Sequence, residues 1–242
     1  LAMAGAIMDR FNGFLPNLGV TAETIPAIES AYEELLDVLE AHFRLHPYLL
    51  GGRPSVADFG LMGPLYAHLA RDPVPAKLMR TRAPNVARWT ERMNVAQIAD
   101  PEFPGAEDFL SDDTLSETLE AVLRVAFAQW EAGIAADAAC FDSWLAGQSD
   151  PAPGTIVSLN GQRQVHPNVG KAEYLWRGVT MRRASHIHSL WHLSRAQDAA
   201  RALSGEAAER LAALLARTGG EKVMATTTSR RMTRENNVLV LA

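Results

Sequence analysis

The sequence predicts a mainly α protein: a helical bundle over residues 1–100, then a mostly helical extension over 101–242 that carries a small β-hairpin or sheet element. Three observations predict it. Apolar residues recur at three- and four-residue spacing through most of the first 145 positions, the rhythm of helices with one buried face. Pro and Gly clusters punctuate those stretches. After Gly154 the texture shifts to short β-like runs at 155–159 and 238–241.

In order along the chain, Ile7, Met8, Phe11 and Phe14 have near-helical spacing in residues 2–14, before a break at Pro16 and Asn17. Residues 24–45 form a longer helix, with Ile25, Ile28, Ala31, Tyr32, Leu35, Leu36, Leu39 and Phe43 on one face. It stops at His46-Pro47, because proline disfavours helical geometry in the residue before it. Gly51-Gly52-Arg53-Pro54 reads as a turn. The helix over 55–69 is apolar nearly all round, which predicts a central, buried element. Another covers 83–95, with Pro84 suitably placed in its first turn. Pro101 and Pro104 mark a linker over 100–105. Helix resumes with Asp112, Asp113, Glu117 and Glu120, whose charges suit the positive end of a helix dipole, and continues to Leu145. Asn160-Gly161 between two β-like runs predicts a hairpin, since Asn-Gly tolerates the positive φ of a type I′ turn. The run at 238–241 would add a third strand. Residues 180–203 and 205–217 read as helices, the second ended by Thr218-Gly219-Gly220.

Composition sets the class. The chain has 242 residues, 48% of them hydrophobic and 21% charged, enough to bury a real core. No apolar stretch is long enough to span a membrane, and the N-terminus has no basic residue ahead of its apolar run, a poor secretory signal. Cys140 is the sole cysteine, so an internal disulfide and a cysteine-rich metal site are excluded. Its neighbours Ala138, Ala139 and Phe141 predict a packed thiol, and the economical reading is an intracellular, cytoplasmic protein. The net charge of −5 is unevenly spread. Basic against acidic residues number 9 to 14 in 1–110, 1 to 8 in 111–159 and 13 to 6 in 160–242. With no recognisable nucleic-acid-binding motif, the basic third reads as docking on the acidic segment before it, with Arg182, Arg183, Arg230, Arg231 and Arg234 beside Asp112, Asp113, Glu117 or Glu120. A shared anion such as a carboxylate or sulfonate is the alternative for those arginines.

The most informative stretch is Pro54-Ser55-Val56-Ala57-Asp58-Phe59. Ser55 can accept from the backbone N–H of Asp58 while the Asp58 carboxylate reaches back to the N–H of Ser55. This reciprocal box satisfies two amides that a helix start otherwise leaves unpaired. With the preceding Pro47-Tyr48-Leu49-Leu50-Gly51-Gly52-Arg53 and the later Pro84-Asn85-Val86-Ala87-Arg88-Trp89-Thr90-Glu91-Arg92-Met93, it resembles the C-terminal domain of glutathione transferases. That family opens its core helix with such a box and follows it with a Pro-x-Val-x-x-Trp-x-x-Arg-Met helix. The likeness covers about residues 20–95. Pro54 stands where the family often has an aliphatic residue that staples the helix start.

The resemblance implies that glutathione is the co-substrate of the complete protein and that a small apolar electrophile is conjugated or reduced. It also implies a homodimer. The glutathione-holding domain of the family is thioredoxin-like, and its βαβ pattern is not found in these 242 residues. The chain opens on Leu1 rather than methionine, so the expectation is a truncated, helical part without catalytic residues and without a cofactor of its own. The family's first helix contributes to the electrophile pocket, which assigns Met8, Phe11 and Phe14 to substrate binding. Ordinary core packing is the competing reading for those three, and a stand-alone helical binding or scaffold protein is the competing reading for the whole chain. His186, His188 and His192 form an H-x-H-x3-H pattern, but only His188 and His192 share a helical face, and no acid completes the set, so no metal site is assigned.

Overall fold

The computed structural model describes residues 2–95, 102–164 and 166–242. The start of the expected 100–105 linker and Val165 of the expected hairpin lie outside the described residues. The elements are α1 (Ala2–Asn12), α2 (Ile25–Phe43), α3 (Val56–Pro64), α4 (Pro73–Arg82), α5 (Pro84–Arg92), α6 (Glu117–Ala146), β1 (Lys171–Trp176), β2 (Val179–Ala184), α7 (Ile187–Arg201), α8 (Gly205–Thr218), α9 (Glu221–Ala225), β3 (Met232–Glu235) and β4 (Val238–Leu241). The mainly α class with small β-hairpins is therefore what forms. Two compact units arise: residues 30–126, and residues 1–29 together with 127–242. The first turns of α6 supply Leu119 and Val122 to the core of the 30–126 unit.

Within residues 30–126, Leu36, Leu39 and Phe43 of α2 pack with Tyr48, Leu65, Met79, Val86 and Trp89. Trp89 stacks on Phe43, with ring centroids 4.9 Å apart and planes 12° from parallel. Glu40 of α2 serves the start of α5. Its carboxylate accepts from the backbone N–H of Asn85 at 2.8 Å and from the Asn85 side-chain amide at 2.5 Å. Ala83 at the helix cap position has no side chain able to do this, so a distant acid satisfies an orphan amide at the positive end of the helix. Arg82 makes two 2.7 Å bonds to Asp37 and one of 2.9 Å to Glu33, tying α4 to α2 at the surface.

Helix α3 departs from expectation. Its apolar surface predicted burial, yet Val56 and Phe59 are exposed and Asp58 is its buried residue. Periodicity reports which residues are apolar and says nothing about whether a neighbour covers them. After Pro64, which cannot donate an N–H, residues Leu65–Leu69 continue as a π turn closed by Ala70 N–H to Leu65 C=O at 2.7 Å. Helix α4, which no sequence expectation covered, starts at Pro73 after Asp72.

In the other unit, Ile134 and Phe141 of α6 pack with Val157, Val169, Ile187, Leu190, Leu193, Val223, Leu239 and Leu241. The β structure differs from that expected. Residues 180–184 belong to strand β2, antiparallel to β1, and α7 begins only at Ile187. Arg177 and Gly178 turn this hairpin with φ of 48° and 81°, the double positive φ that a two-residue hairpin turn demands. Asn236 and Asn237 do the same between β3 and β4, with φ of 47° and 63°. Among the described residues Asn160-Gly161 turns no hairpin. Ser158 Oγ instead donates to Gln162 C=O at 2.8 Å, closing a loop. Residues 155–157 lie along β4, bridged at Ile156 and Val240 and bonded from Val157 N–H to Leu239 C=O at 2.9 Å.

Candidate functional site

Met8 and Phe11 lie on α1 and Phe14 just beyond it, and all three are exposed. The Phe11 and Phe14 rings meet edge to face with centroids 6.4 Å apart. Met3, Ile7, Leu15 and Leu18 are exposed on the same stretch. The three assigned residues are 64%, 65% and 47% exposed.

Ser55 and Asp58 meet at the start of α3. Asp58 Oδ2 accepts from the Ser55 N–H at 2.8 Å and its hydroxyl at 2.7 Å, and Ser55 Oγ accepts from the Asp58 N–H at 3.4 Å. The other carboxylate oxygen, Oδ1, accepts from the Leu49 N–H at 3.0 Å and the Trp89 indole N–H at 3.1 Å. Asp58 is wholly buried, so these four donors occupy the carboxylate and leave no free lone pair for a substrate. Arg92, one turn after Trp89, donates to Pro47 C=O at 2.9 Å and fixes the loop ahead of the box.

A second polar centre was not anticipated. His42, buried at the end of α2, has Nδ1 2.9 Å from Thr118 Oγ1 and Nε2 3.3 Å from Tyr48 C=O. Since the carbonyl can only accept, Nε2 carries the proton and Nδ1 accepts from the Thr118 hydroxyl. Burial pushes the His42 imidazole down to about 4, so the ring is neutral at physiological pH. The spacing of α2 marked Phe43 and Leu39 as core but gave His42 no partner, because Thr118 lies far along the chain.

In the unit formed by 1–29 and 127–242, Asp137 of α6 is wholly buried and takes a two-pronged ion pair from Arg183 of β2, at 2.8 and 3.0 Å. Asp137 also accepts from the His186 backbone N–H at 2.9 Å, and Arg183 Nε donates to the Tyr174 hydroxyl at 3.1 Å. Tyr174 and Arg183 are diagonal neighbours on one face of the β1–β2 hairpin, with Ala172 opposite Arg183. Gly19, with φ of 80°, lets the short turn at Leu15–Leu18 press on this hairpin, its added Cβ meeting Met181 at 3.0 Å. Cys140 packs nearby, half-buried, and burial pushes its thiol up, away from the reactive thiolate.

Four of the five arginines singled out in the basic third have partners within their own unit. Arg183 joins Asp137, Arg182 lies 3.7 Å from Glu173, and Arg231 pairs with Asp198, which also holds Arg201. Arg230 donates to the carbonyls of Pro151 and Ala242. Asp198, between two guanidiniums that donate to it, titrates well below the usual carboxylate range. A concavity of about 250 Å³ opens beside this cluster, floored by Leu190 and Met232 and flanked by Ser194, Gln197, Thr228 and Arg231. Gln197 spends its amide on Met224 and Thr226 carbonyls at 2.9 and 2.7 Å, and Thr228 donates to Arg230 C=O. Among the described residues no group of three metal-ligating side chains converges, and no helix is long and apolar enough to cross a membrane.

Comparison with known families places one match on this framework: residues 22–92 match the family model described as glutathione S-transferase, C-terminal domain. No curated protein and no solved structure matches the chain.

Proposed function

We propose, from the match of residues 22–92 to the glutathione S-transferase C-terminal domain model, that this chain serves as the helical part of a glutathione-transferase-like protein. In that protein a separate thioredoxin-like domain holds glutathione, and a small apolar electrophile is conjugated to it or reduced by it in the cytoplasm, the usual setting of detoxification. Met8, Phe11 and Phe14 meet the electrophile, and a homodimer is the working form.

The observation that carries the reading is the domain match over residues 22–92, which takes in both Asp58 and Trp89. What favours the assignment to α1 is its exposed apolar run, since large aromatic side chains at a surface gain most by covering an apolar ligand. The described strands form two antiparallel hairpins, and neither offers the βαβ frame on which the family stabilises the glutathione thiolate. The chain supplies shape and apolar surface, while the thiol chemistry belongs to the other domain.

Calorimetry of the full chain with glutathione, alongside a conjugation assay with an aromatic halide, tests this division of labour. The expected result is no conjugation and no micromolar binding of glutathione, with weak binding of the halide that Phe11→Ser reduces. Stoichiometric micromolar binding of glutathione would overturn the division of labour. Halide binding indifferent to Phe11→Ser and Phe14→Ser would remove α1 from the electrophile site.

A further inference from the structure

A basic cluster on α7 and β3 lies outside everything assigned so far. The guanidinium carbons of Arg195 and Arg234 lie 5.2 and 5.7 Å from the centre of the Trp191 ring, and the His192 ring centre lies 4.7 Å from it. Trp191 itself is half-buried against the core of its unit, so the platform is anchored while both arginines and His192 are exposed. His188 sits one helical turn before His192 on the same face of α7.

Among the described residues no ion pair engages Arg195 or Arg234. Two acids stand nearest along these elements. Asp198 is already held by Arg201 and Arg231. Glu235 follows Arg234 in β3, and successive strand residues project to opposite faces. Among the described residues, then, two guanidiniums gather at one ring with no acid paired to either, in a chain whose net charge is −5.

We propose that this face of α7 and β3 binds a small phosphorylated ligand, with Arg195 and Arg234 clasping its phosphoryl oxygens beside the Trp191 ring and His188 and His192 completing the anion site. Guanidinium groups suit the task because their planar forks match phosphoryl oxygens and they remain charged at any physiological pH. The compactness of the cluster argues for one or two adjacent phosphoryl groups. Both guanidiniums lie close to a single ring, whereas a nucleic-acid surface extends a basic track along many phosphates. The imidazoles give the site a second property. Burial first, then Arg234, His192 and His166, pushes His188 below its ordinary range, and burial, Arg195 and Arg234 do the same to His192. A bound phosphoryl group offsets that repulsion, so ligand binding takes up protons.

Isothermal titration of the full chain with inorganic pyrophosphate near neutral pH, in two buffers of different ionisation enthalpy, tests the site. Saturable one-to-one binding is expected, weakened by salt and by about tenfold or more when Arg195→Gln and Arg234→Gln are combined, given the strength of charge-assisted bonds. Both arginines are exposed, so these substitutions leave the fold in place. The heats should differ between buffers in the sense of proton uptake, and His188→Gln with His192→Gln should abolish that difference. Absence of saturable binding, or an affinity unchanged in the Arg195/Arg234 variant, overturns the site. Binding without proton uptake removes the histidines from it. Tighter retention of duplex DNA than of pyrophosphate would show a nucleic-acid surface in its place.

Discussion

The Trp89 indole N–H donates to Asp58 Oδ1 at 3.1 Å, joining α5 to the start of α3 across 31 residues of sequence. The same Trp89 ring stacks on Phe43 of α2, so the ring that binds the carboxylate at the head of α3 also joins α5 to α2. Asp58→Ala removes the acceptor for the buried Leu49 amide and the Trp89 indole as well as the helix cap. The expected loss is about 2–4 kcal/mol, since each buried donor left unpaired costs about 1–3 kcal/mol. Ser55→Ala removes only the cap hydroxyl and should cost about 1 kcal/mol. Denaturation midpoints followed by tryptophan fluorescence give the comparison. Equal losses in the two variants would mean that the long-range bonds contribute nothing.

Half of this node is legible in the sequence. A serine three residues ahead of an acid, at the head of an apolar run, specifies the local box, because both partners sit in one helical turn. The bond to Trp89 is not legible in that way, since nothing in the spacing of Pro84, Trp89, Arg92 and Met93 says where the indole N–H points. The same limit explains the errors. Met181 and Arg183 alternate as a strand requires, but six residues of alternation are too few to separate from the start of α7, and Arg177-Gly178 lacks the Asn that tolerates a positive φ at the first turn position. Position decides there, because residues 155–157 already pair with β4. For Met8, Phe11 and Phe14 the spacing established a shared helix, while their exposure was set by what the rest of the chain does not cover.

The Asp137–Arg183 pair predicts a non-additive pair of substitutions. Asp137→Ala leaves a nearly buried guanidinium without its counter-charge and should cost about 3–5 kcal/mol. Adding Arg183→Met to it removes the stranded charge and should restore more than half of that loss, because a well-packed apolar side chain replaces a desolvated ion pair at little net cost. A double-mutant cycle from urea unfolding measures the coupling. Simple additivity of the two losses would show that the pair is not energetically linked.

Gly52 and Gly60 should respond oppositely to alanine. A Cβ at Gly52 would collide with the Ala106 carbonyl oxygen, and the Gly52 N–H already donates to Asp108 C=O at 2.7 Å, so backbone meets backbone with no flexible atom to yield. Gly52→Ala should therefore destabilise by about 2 kcal/mol or more, as overpacking does. A Cβ at Gly60, in α3, meets nothing within 4 Å, and replacing a helical glycine by alanine gains about 0.5–1 kcal/mol. Thermal unfolding of the two variants should shift in opposite directions. A stabilised Gly52→Ala chain would mean that the 106–108 segment does not pack there.

His42 makes stability depend on pH in a window set by its shift. Burial holds its imidazole at about 4 in the folded chain, against about 6.5 when unfolded. The unfolded chain therefore binds the proton more readily between those values, and stability is complete above about pH 6.5 and falls as the pH drops toward 4. The loss between about pH 7 and about pH 5 should be roughly 2 kcal/mol from this residue. His46, His188 and His192 shift the same way and add to the slope, so the total alone does not identify the source. His42→Gln does. It should lower stability near neutral pH, because the Thr118 hydroxyl and Tyr48 carbonyl lose a well-placed partner, and it should flatten the acid slope by nearly one proton. Unfolding free energies across that pH range decide the matter. A slope unchanged in the variant would mean that His42 takes up its proton as readily in the folded chain as in the unfolded one, and that the Thr118–His42–Tyr48 arrangement does not hold the ring neutral.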